Sequence, residues 1–353
     1  MTKIVGQQAA VTTIQNALKH ERNHHAWIFQ GPAGVGKFAV AQEFARALIT
    51  NEIQGVFQVD REEFQHPDFH VIRKEDAAWS KNPSLVRRKQ TNIPVDLLRE
   101  RMIGGRTSDD KTHDASAYKT SVGGGNKFFV IDEAELLDEV AQNALLKTLE
   151  EPPLGTFLVL VTSRDDLLLP TIRSRCQIAQ FSTLQDEEMR QWLSHSAIEV
   201  PEEEAGWLLE YASGSPGDFV IAKDHGLFQL SQSIQHFIQG LGSGAPFPEA
   251  TVRLLEFVDS YIKNQMKSNP LCSKEAANRR AFSIILRLLG LQIRRLLLGT
   301  KEQSLLAVRG AAILSDIESQ IRTNISVKVL LESLVVRWTH LSRGEAMLMP
   351  VSS

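Results

Sequence analysis

Up to about Leu160 the chain alternates short apolar runs with stretches whose apolar residues recur at helical spacing. His25–Gln30 and Lys127–Asp132 both read as short buried strands ending in a loop, and Phe157–Thr162 reads the same way. Strands alternating with helices predict a parallel sheet in an α/β domain. Gly104–Asn126 interrupts the alternation. It is polar and glycine-rich, with Gly123, Gly124 and Gly125 in a row, and is expected to be a surface loop or insertion free to move.

From about residue 166 the pattern becomes helical. Asp186–His195 and Glu202–Tyr211 carry apolar residues at helical spacing, and Gly214-Ser215-Pro216-Gly217 punctuates the chain after them. Gly240–Pro248 holds Gly240, Gly242, Gly244, Pro246 and Pro248, a density of breakers that predicts a domain boundary. Beyond it the chain reads as all helix. One apolar stripe is Phe282, Ile285, Leu288 and Leu289, and another is Val327, Leu330, Leu331 and Leu334. The expected division is an α/β domain over 1–165, a small helical domain over 166–240 and an all-α domain over 249–345.

Composition narrows the classes. A chain of 353 residues suits two or three domains and can bury a sizeable core. Hydrophobic residues at 42% and charged residues at 23% argue against a disordered or collagen-like chain and against a membrane protein. The longest apolar stretch, Leu286–Leu298, is interrupted by Arg287, Arg294 and Arg295, and is too short and too charged to span a bilayer. Met1–Ala10 lacks the apolar core of a secretory signal. Cys176 and Cys272 are the only cysteines, which excludes a disulfide scaffold and a four-cysteine zinc site, so no zinc is expected. A reducing cytoplasm is the expected compartment. Residues 251–353 hold 15 Lys and Arg against 8 Asp and Glu, so the last third is basic while the chain as a whole carries -3. That surplus suits nucleic acid or an acidic partner, or else a solvated arginine face on a helical domain; the spread of the arginines favours the latter.

Gly31-Pro32-Ala33-Gly34-Val35-Gly36-Lys37 follows the strand Ala26–Gln30 and precedes a helical run to Leu48. That is the setting of a phosphate loop: Gly31, Gly34 and Gly36 let backbone N–H groups turn toward an anion, the helix N-terminus adds positive potential, and Lys37 reaches the outer phosphates. The full motif places Ser or Thr next, to hold magnesium. Here that residue is Phe38, which has no oxygen to offer. A bare glycine turn is the competing reading, but strand, spacing, lysine and helix agree on a nucleotide fold. Phe128–Glu133 is an apolar strand ending in Asp132 and Glu133. In an ATPase the first acid supports magnesium and the second polarises the attacking water; alternatively, the acids open the next helix. Thr162 and Ser163 end the following strand. Arg173 and Arg175 then flank Ser174 before Cys176, a surface able to meet phosphate or carboxylate, or a salt-bridge cluster beside a small buried cysteine.

These residues together resemble the clamp-loader subunits of bacterial DNA polymerase III, a branch of the AAA+ ATPases. The resemblance runs through Ile4-Val5-Gly6-Gln7, His25-Ala26, the phosphate loop, His66-Pro67-Asp68-Phe69, Asn143–Pro153, Ser174-Arg175-Cys176 and Asn324-Ile325-Ser326 with the stripe after it. It implies a P-loop AAA+ domain with a parallel sheet, a helical lid and an all-α collar that holds subunits in a ring. The implied partners are delta and gamma/tau subunits, a sliding clamp and primed DNA, with no membrane. Two departures matter. Asn51–Gln65 lacks the cysteines of the zinc module many relatives carry, and Gly217 stands where motor subunits have a nucleotide-sensing arginine. With Phe38, these losses resemble the family's non-hydrolysing stator, which lends an arginine finger to its neighbour. Arg175 is then expected to act in trans, ahead of Arg173. Gly31, Gly34, Gly36, Lys37, Asp132, Glu133 and Thr162 are expected at a nucleotide site of its own, at which ATP and magnesium are doubtful. An ATP-hydrolysing motor subunit and a DNA-binding module without a nucleotide role are the alternatives.

Overall fold

The computed structural model describes residues 4–19, 24–52, 57, 64–87, 90–235, 237, 249–269, 272–321 and 325–342. They form two compact units, one of Met1–Val200 with Ala212–Val220, the other of Pro201–Tyr211 with Ile221–Ser353. The boundary expected at residue 165 thus falls inside the first unit, and the 166–240 segment contributes to both. The predicted linker Gly240–Pro248 lies outside the described residues, as does Asn324.

The first unit is built on strands β1 (Ala26–Gln30), β2 (Phe69–Ile72), β3 (Gly105–Arg106), β4 (Thr112–His113), β5 (Lys127–Ile131), β6 (Thr156–Thr162) and β7 (Gln177–Gln180). The five longer ones form a parallel sheet in the order β2-β5-β6-β1-β7. Three of these strands were legible as apolar runs. β2 and β7 were not, because they are edge strands of only four residues, β2 interrupted by His70 and β7 bounded by Gln177 and Gln180. Side chains alternate across the sheet. Trp27, Phe29, Phe128 and Val130 face a cluster with Phe44 and Phe181, while Ile28, Phe129, Ile131 and Leu160 face Leu97, Leu145 and Ile172. Both faces are therefore covered, as a parallel sheet requires. Each fully buried aromatic among them contributes ~1.5–3 kcal/mol.

Helices α1 (Gln8–Lys19), α2 (Lys37–Thr50), α3 (Pro83–Val86), α4 (Val95–Leu98), α5 (Glu139–Glu150), α6 (Pro170–Arg173) and α7 (Asp186–His195) complete most of the unit. α5 starts where Asp138 accepts a hydrogen bond from the Ala141 amide at 2.8 Å, and it buries Leu145 and Leu149. Pro152 and Pro153 then stop it.

Gly104–Asn126 is held in place, contrary to the expectation of a loop free to move. β3 and β4 pair as a small antiparallel ribbon. Buried Lys127 donates from Nζ to the Ser116, Ala117 and Lys119 carbonyls, and Thr156 Oγ1 donates to Ala117 at 3.0 Å. Asp68, only 2% exposed, accepts the Val122 and Gly123 amides at 2.9 and 3.1 Å. Burial pushes the Asp68 carboxyl up, but these two amides and the nearby His66 and His70 rings outweigh it and hold it below the usual carboxylate range.

The second unit contains α8 (Glu202–Ala212) up to Tyr211, the later part of α9 (Pro216–Asp224), α10 (Leu227–Ser233), α11 (Glu249–Ser268), α12 (Lys274–Leu297), α13 (Lys301–Gln320) and α14 (Val327–Ser342). Ser273 and Thr300 cap α12 and α13 by accepting the Ala276 and Gln303 amides. The predicted stripes face inward except at one end: Phe282, Ile285, Leu288 and Leu289 are buried on α12, and Leu330, Leu331 and Leu334 on α14, while Val327 is half-buried. Arg253, Arg279, Arg295 and Arg337 pair with Glu256, Glu275, Glu210 and Asp316 at 3.4, 2.9, 2.5 and 2.5 Å. Three of these pairs lie within residues 251–353 and leave the basic surplus unchanged; Arg295 alone among the four pairs with an acid outside that segment. Among the described residues no helix is long and apolar enough to cross a membrane.

Candidate nucleotide site

Ligands of open parallel sheets gather at the carboxyl ends of the strands, and the residues expected at the chain's own nucleotide site lie there. Gly31–Gly36 follows central strand β1 and leads directly into α2. Gly31 and Gly34 have φ of +146° and +74°, values only glycine adopts without strain. α2 has no side-chain cap at its start, so its first amides face the loop. Lys37, 6% exposed, donates from Nζ to the Gly31 and Pro32 carbonyls at 2.6 and 2.5 Å. Burial pushes its pKa down to about 8, against the opposing charges of Glu135 and Asp132.

Asp132 and Glu133 stand at the end of β5, beside β2. The parallel register matches Ile72 with Ile131, so the next residues, Arg73 and Asp132, fall side by side, and Lys74 falls beside Glu133. Arg73 Nε donates to Asp132 Oδ2 at 3.1 Å, and its guanidinium lies 4.4 Å from the centre of the Phe38 ring. Lys74 pairs with Glu133 and, at 3.5 Å, with Glu75. Sequence reasoning missed Arg73 and Lys74, since nothing in the chain announces that β2 is a strand in register with β5.

Thr162, at the end of β6, is buried, and its Oγ1 accepts the Arg164 amide at 3.0 Å. Glu135, also missed, accepts from the Ser163 amide and hydroxyl at 3.2 and 2.6 Å. Gln7 donates to the Val35 carbonyl at 3.2 Å and to that of Ser182 at 2.6 Å, tying the loop to the segment after β7. A cleft of about 500 Å³ beside it is lined by Ile4, Val5, Gly6, Val11, Phe57 and Glu188 among others.

The Gly214–Gly217 turn, part of the same unit, rests on the loop. The Gly217 amide donates to the Gly34 carbonyl at 2.9 Å and Ser215 Oγ donates to that of Ala33 at 3.1 Å. A Cβ on Gly217 would stand 2.7 Å from the Gly34 Cα. The residues at the metal pole do not fit magnesium. Phe38 brings no oxygen, a guanidinium already sits on Asp132, and an ammonium sits on Glu133.

Arg175 lies elsewhere. It comes just before β7, at the amino edge of the sheet, whereas the phosphate loop leaves the carboxyl edge of the neighbouring parallel strand β1. A strand of five residues separates those edges by roughly 16 Å at ~3.3 Å per residue. Arg175 pairs with Glu150 at 2.7 Å and donates to the Thr171 carbonyl at 2.9 Å. Arg173 pairs with Asp165 at 3.4 Å. Buried Gln142 fixes the intervening segment through Leu167 and Leu169. Burial pushes the Cys176 thiol up to about 12, so it stays protonated and inert.

A family model described as DNA polymerase III, delta subunit, matches residues 6–185, just over half of the chain. DNA polymerase III subunit delta' of Pseudomonas aeruginosa is 28% identical over 273 residues, 75% of this chain and 69% of its own length. The Escherichia coli subunit delta' is 28% identical over 203 residues, 56% of this chain and 53% of its own. Subunit tau/gamma of Haemophilus influenzae is 34% identical over 195 residues, 54% of this chain but only 25% of that relative. The chain thus spans between a quarter and about two thirds of these curated relatives. By the family match and these relatives, the chain belongs to the DNA polymerase III delta subunit family, as a clamp-loader subunit of the delta prime type.

Proposed function

We propose that this chain is a stator of the clamp loader and supplies Arg175 to the ATP site of a neighbouring subunit. Residues 166–240 serve as the lid and 249–345 as the collar that joins it to delta and gamma/tau subunits. The assembled ring uses ATP to load a sliding clamp on primed DNA in the cytoplasm. The observation that supports this reading is the separation of these residues across one sheet. Arg175 is at the amino edge, too far to serve the chain's own phosphate loop, while that loop faces Asp132 and Glu133 already paired with cations. The same pairing argues against an ATP-hydrolysing motor subunit, which needs both carboxylates for metal and water.

An arginine finger stabilises charge that develops on the transferred phosphoryl group. Arg175 suits the task through its planar, multi-donor head, and its ion pair with exposed Glu150 is weak enough to exchange for a phosphate. The test is steady-state ATPase of complexes reconstituted with wild-type or Arg175→Ala chain, matched for assembly by gel filtration. The affected site should slow by as much as roughly a thousandfold, and the complex by less, because other sites keep their own fingers. Arg175→Lys should rescue poorly. Equal rates in all three complexes would remove Arg175 from the mechanism.

A further inference from the structure

The cations at the end of β2 have no part in the function proposed above, and they occupy the place where a nucleotide fold holds its metal. Magnesium at such a site brings two positive charges, held between a hydroxyl at the start of the helix and the first acid after the strand, and bridging two phosphates. Here the hydroxyl position is Phe38, and its ring carries the Arg73 guanidinium at 4.4 Å. That guanidinium donates to the acid itself, Asp132. One residue on, the Lys74 ammonium meets Glu133. Arg73 and Lys74 are two fixed unit charges, the same total that one magnesium ion supplies.

Arg73 uses only part of its fork. Its Nε is on Asp132, and among the described residues its two terminal amino groups make no hydrogen bond. Its side chain is 42% exposed, and its head lies over Phe38, the residue that follows the phosphate-loop lysine. Asp132 and the Phe38 ring hold the plane of the head in one orientation, which favours a two-pronged contact with a phosphate.

We propose that Arg73, seated on Phe38 and Asp132, and Lys74, seated on Glu133, replace the divalent metal, so that the loop takes a nucleoside polyphosphate in its metal-free form. Phe38 is then more than a lost metal ligand: it is the platform for the replacement cation. Hydrolysis is not implied, because Glu133 is engaged by Lys74 and has no free carboxylate to polarise a water. This inference concerns the chain's own loop and does not depend on where Arg175 acts.

The experiment measures binding of fluorescently labelled ATP and ADP to the full-length chain by anisotropy, once in EDTA and once in excess magnesium. The wild-type chain should bind at least one of the two nucleotides in EDTA, and severalfold more weakly in excess magnesium, which holds most of the nucleotide as its magnesium complex. Arg73→Ala should weaken binding in EDTA by about tenfold or more, the loss of one charge-assisted contact. The double variant Phe38→Thr with Arg73→Ala should regain tenfold or more on adding magnesium, as a restored metal site would. Circular dichroism and urea unfolding check that the variants fold; an exposed ion pair contributes little to stability. Manganese paramagnetic resonance gives a readout independent of the label: wild-type chain with ATP should show no manganese signal beyond that of ATP alone, and the double variant should. Equal or tighter binding by the wild type in magnesium, no binding of either nucleotide in either buffer, or an unchanged Arg73→Ala would each overturn the proposal. The ATPase comparison at Arg175 is unaffected by any of these results, so the two ideas fail separately.

Discussion

Gly217→Ala is a small change with a definite structural consequence. The new Cβ would stand 2.7 Å from the Gly34 Cα and 3.3 Å from its carbonyl oxygen, both backbone atoms of the phosphate loop. Backbone cannot rotate away as a side-chain tip can, so the turn must lift. Lifting stretches the 2.9 Å bond from the Gly217 amide to the Gly34 carbonyl and the neighbouring 3.1 Å bond from Ser215 Oγ to the Ala33 carbonyl. Overpacking of this kind costs typically 1–3 kcal/mol, and a weakened hydrogen bond adds about 1 kcal/mol. The expected destabilisation is therefore about 2–4 kcal/mol. In urea unfolding monitored by circular dichroism the midpoint should fall with little change of slope. Hydrogen exchange should localise the effect, with protection lost first at the Gly217 amide. Gly217→Arg should be at least as costly. In that case the absence of the family's sensing arginine and the seating of this turn on the loop share one cause: any side chain here pushes the two apart. A Gly217→Ala chain with wild-type stability and an unchanged Gly217 exchange rate would show that the contact is dispensable, and the reasoning from close approach would fail.

Two further outcomes rest on buried charges. The Lys37 pKa is lowered to about 8 from an ordinary value of 10.5, so between those values the unfolded chain binds more protons than the folded one. The contribution of Lys37 to stability should therefore rise with pH from about 8 to 10.5 and be most unfavourable below 8; urea midpoints of Lys37→Met should exceed those of wild type by most near pH 7, and a gap that widens with pH would contradict the sign. Asp68→Ala removes an acceptor from the Val122 and Gly123 amides and should cost about 2–3 kcal/mol. Those two amides should lose exchange protection while β1 keeps its own, and unchanged protection would mean that 104–126 is anchored without Asp68.

The amino-acid sequence by itself determined the elements whose signals are local. Gly31–Lys37 between a strand and a helix, the apolar runs at Lys127–Asp132 and Phe157–Thr162, the prolines ending α5 and the α12 stripe all depend on neighbours within a few residues, and all are found within a residue of where the pattern put them. The missing hydroxyl at Phe38 was equally legible, because one side chain suffices to show it. The sequence also suggested a loop free to move at Gly104–Asn126, where glycine content spoke louder than distant partners. Tertiary structure decided otherwise, since the groups that pin that segment, Asp68 and Lys127, show their role only when burial deprives them of water and the segment supplies the hydrogen bonds. The pairing of Arg73 with Asp132 and of Lys74 with Glu133 was likewise out of reach: it spans 59 residues and exists only because β2 and β5 lie parallel in one particular register. A one-residue slip would turn those side chains to the other face. The same holds for Arg175. Its residue type and neighbours were plain in the chain, but its place at the edge of the sheet away from its own phosphate loop comes from strand direction, which topology sets and local sequence does not.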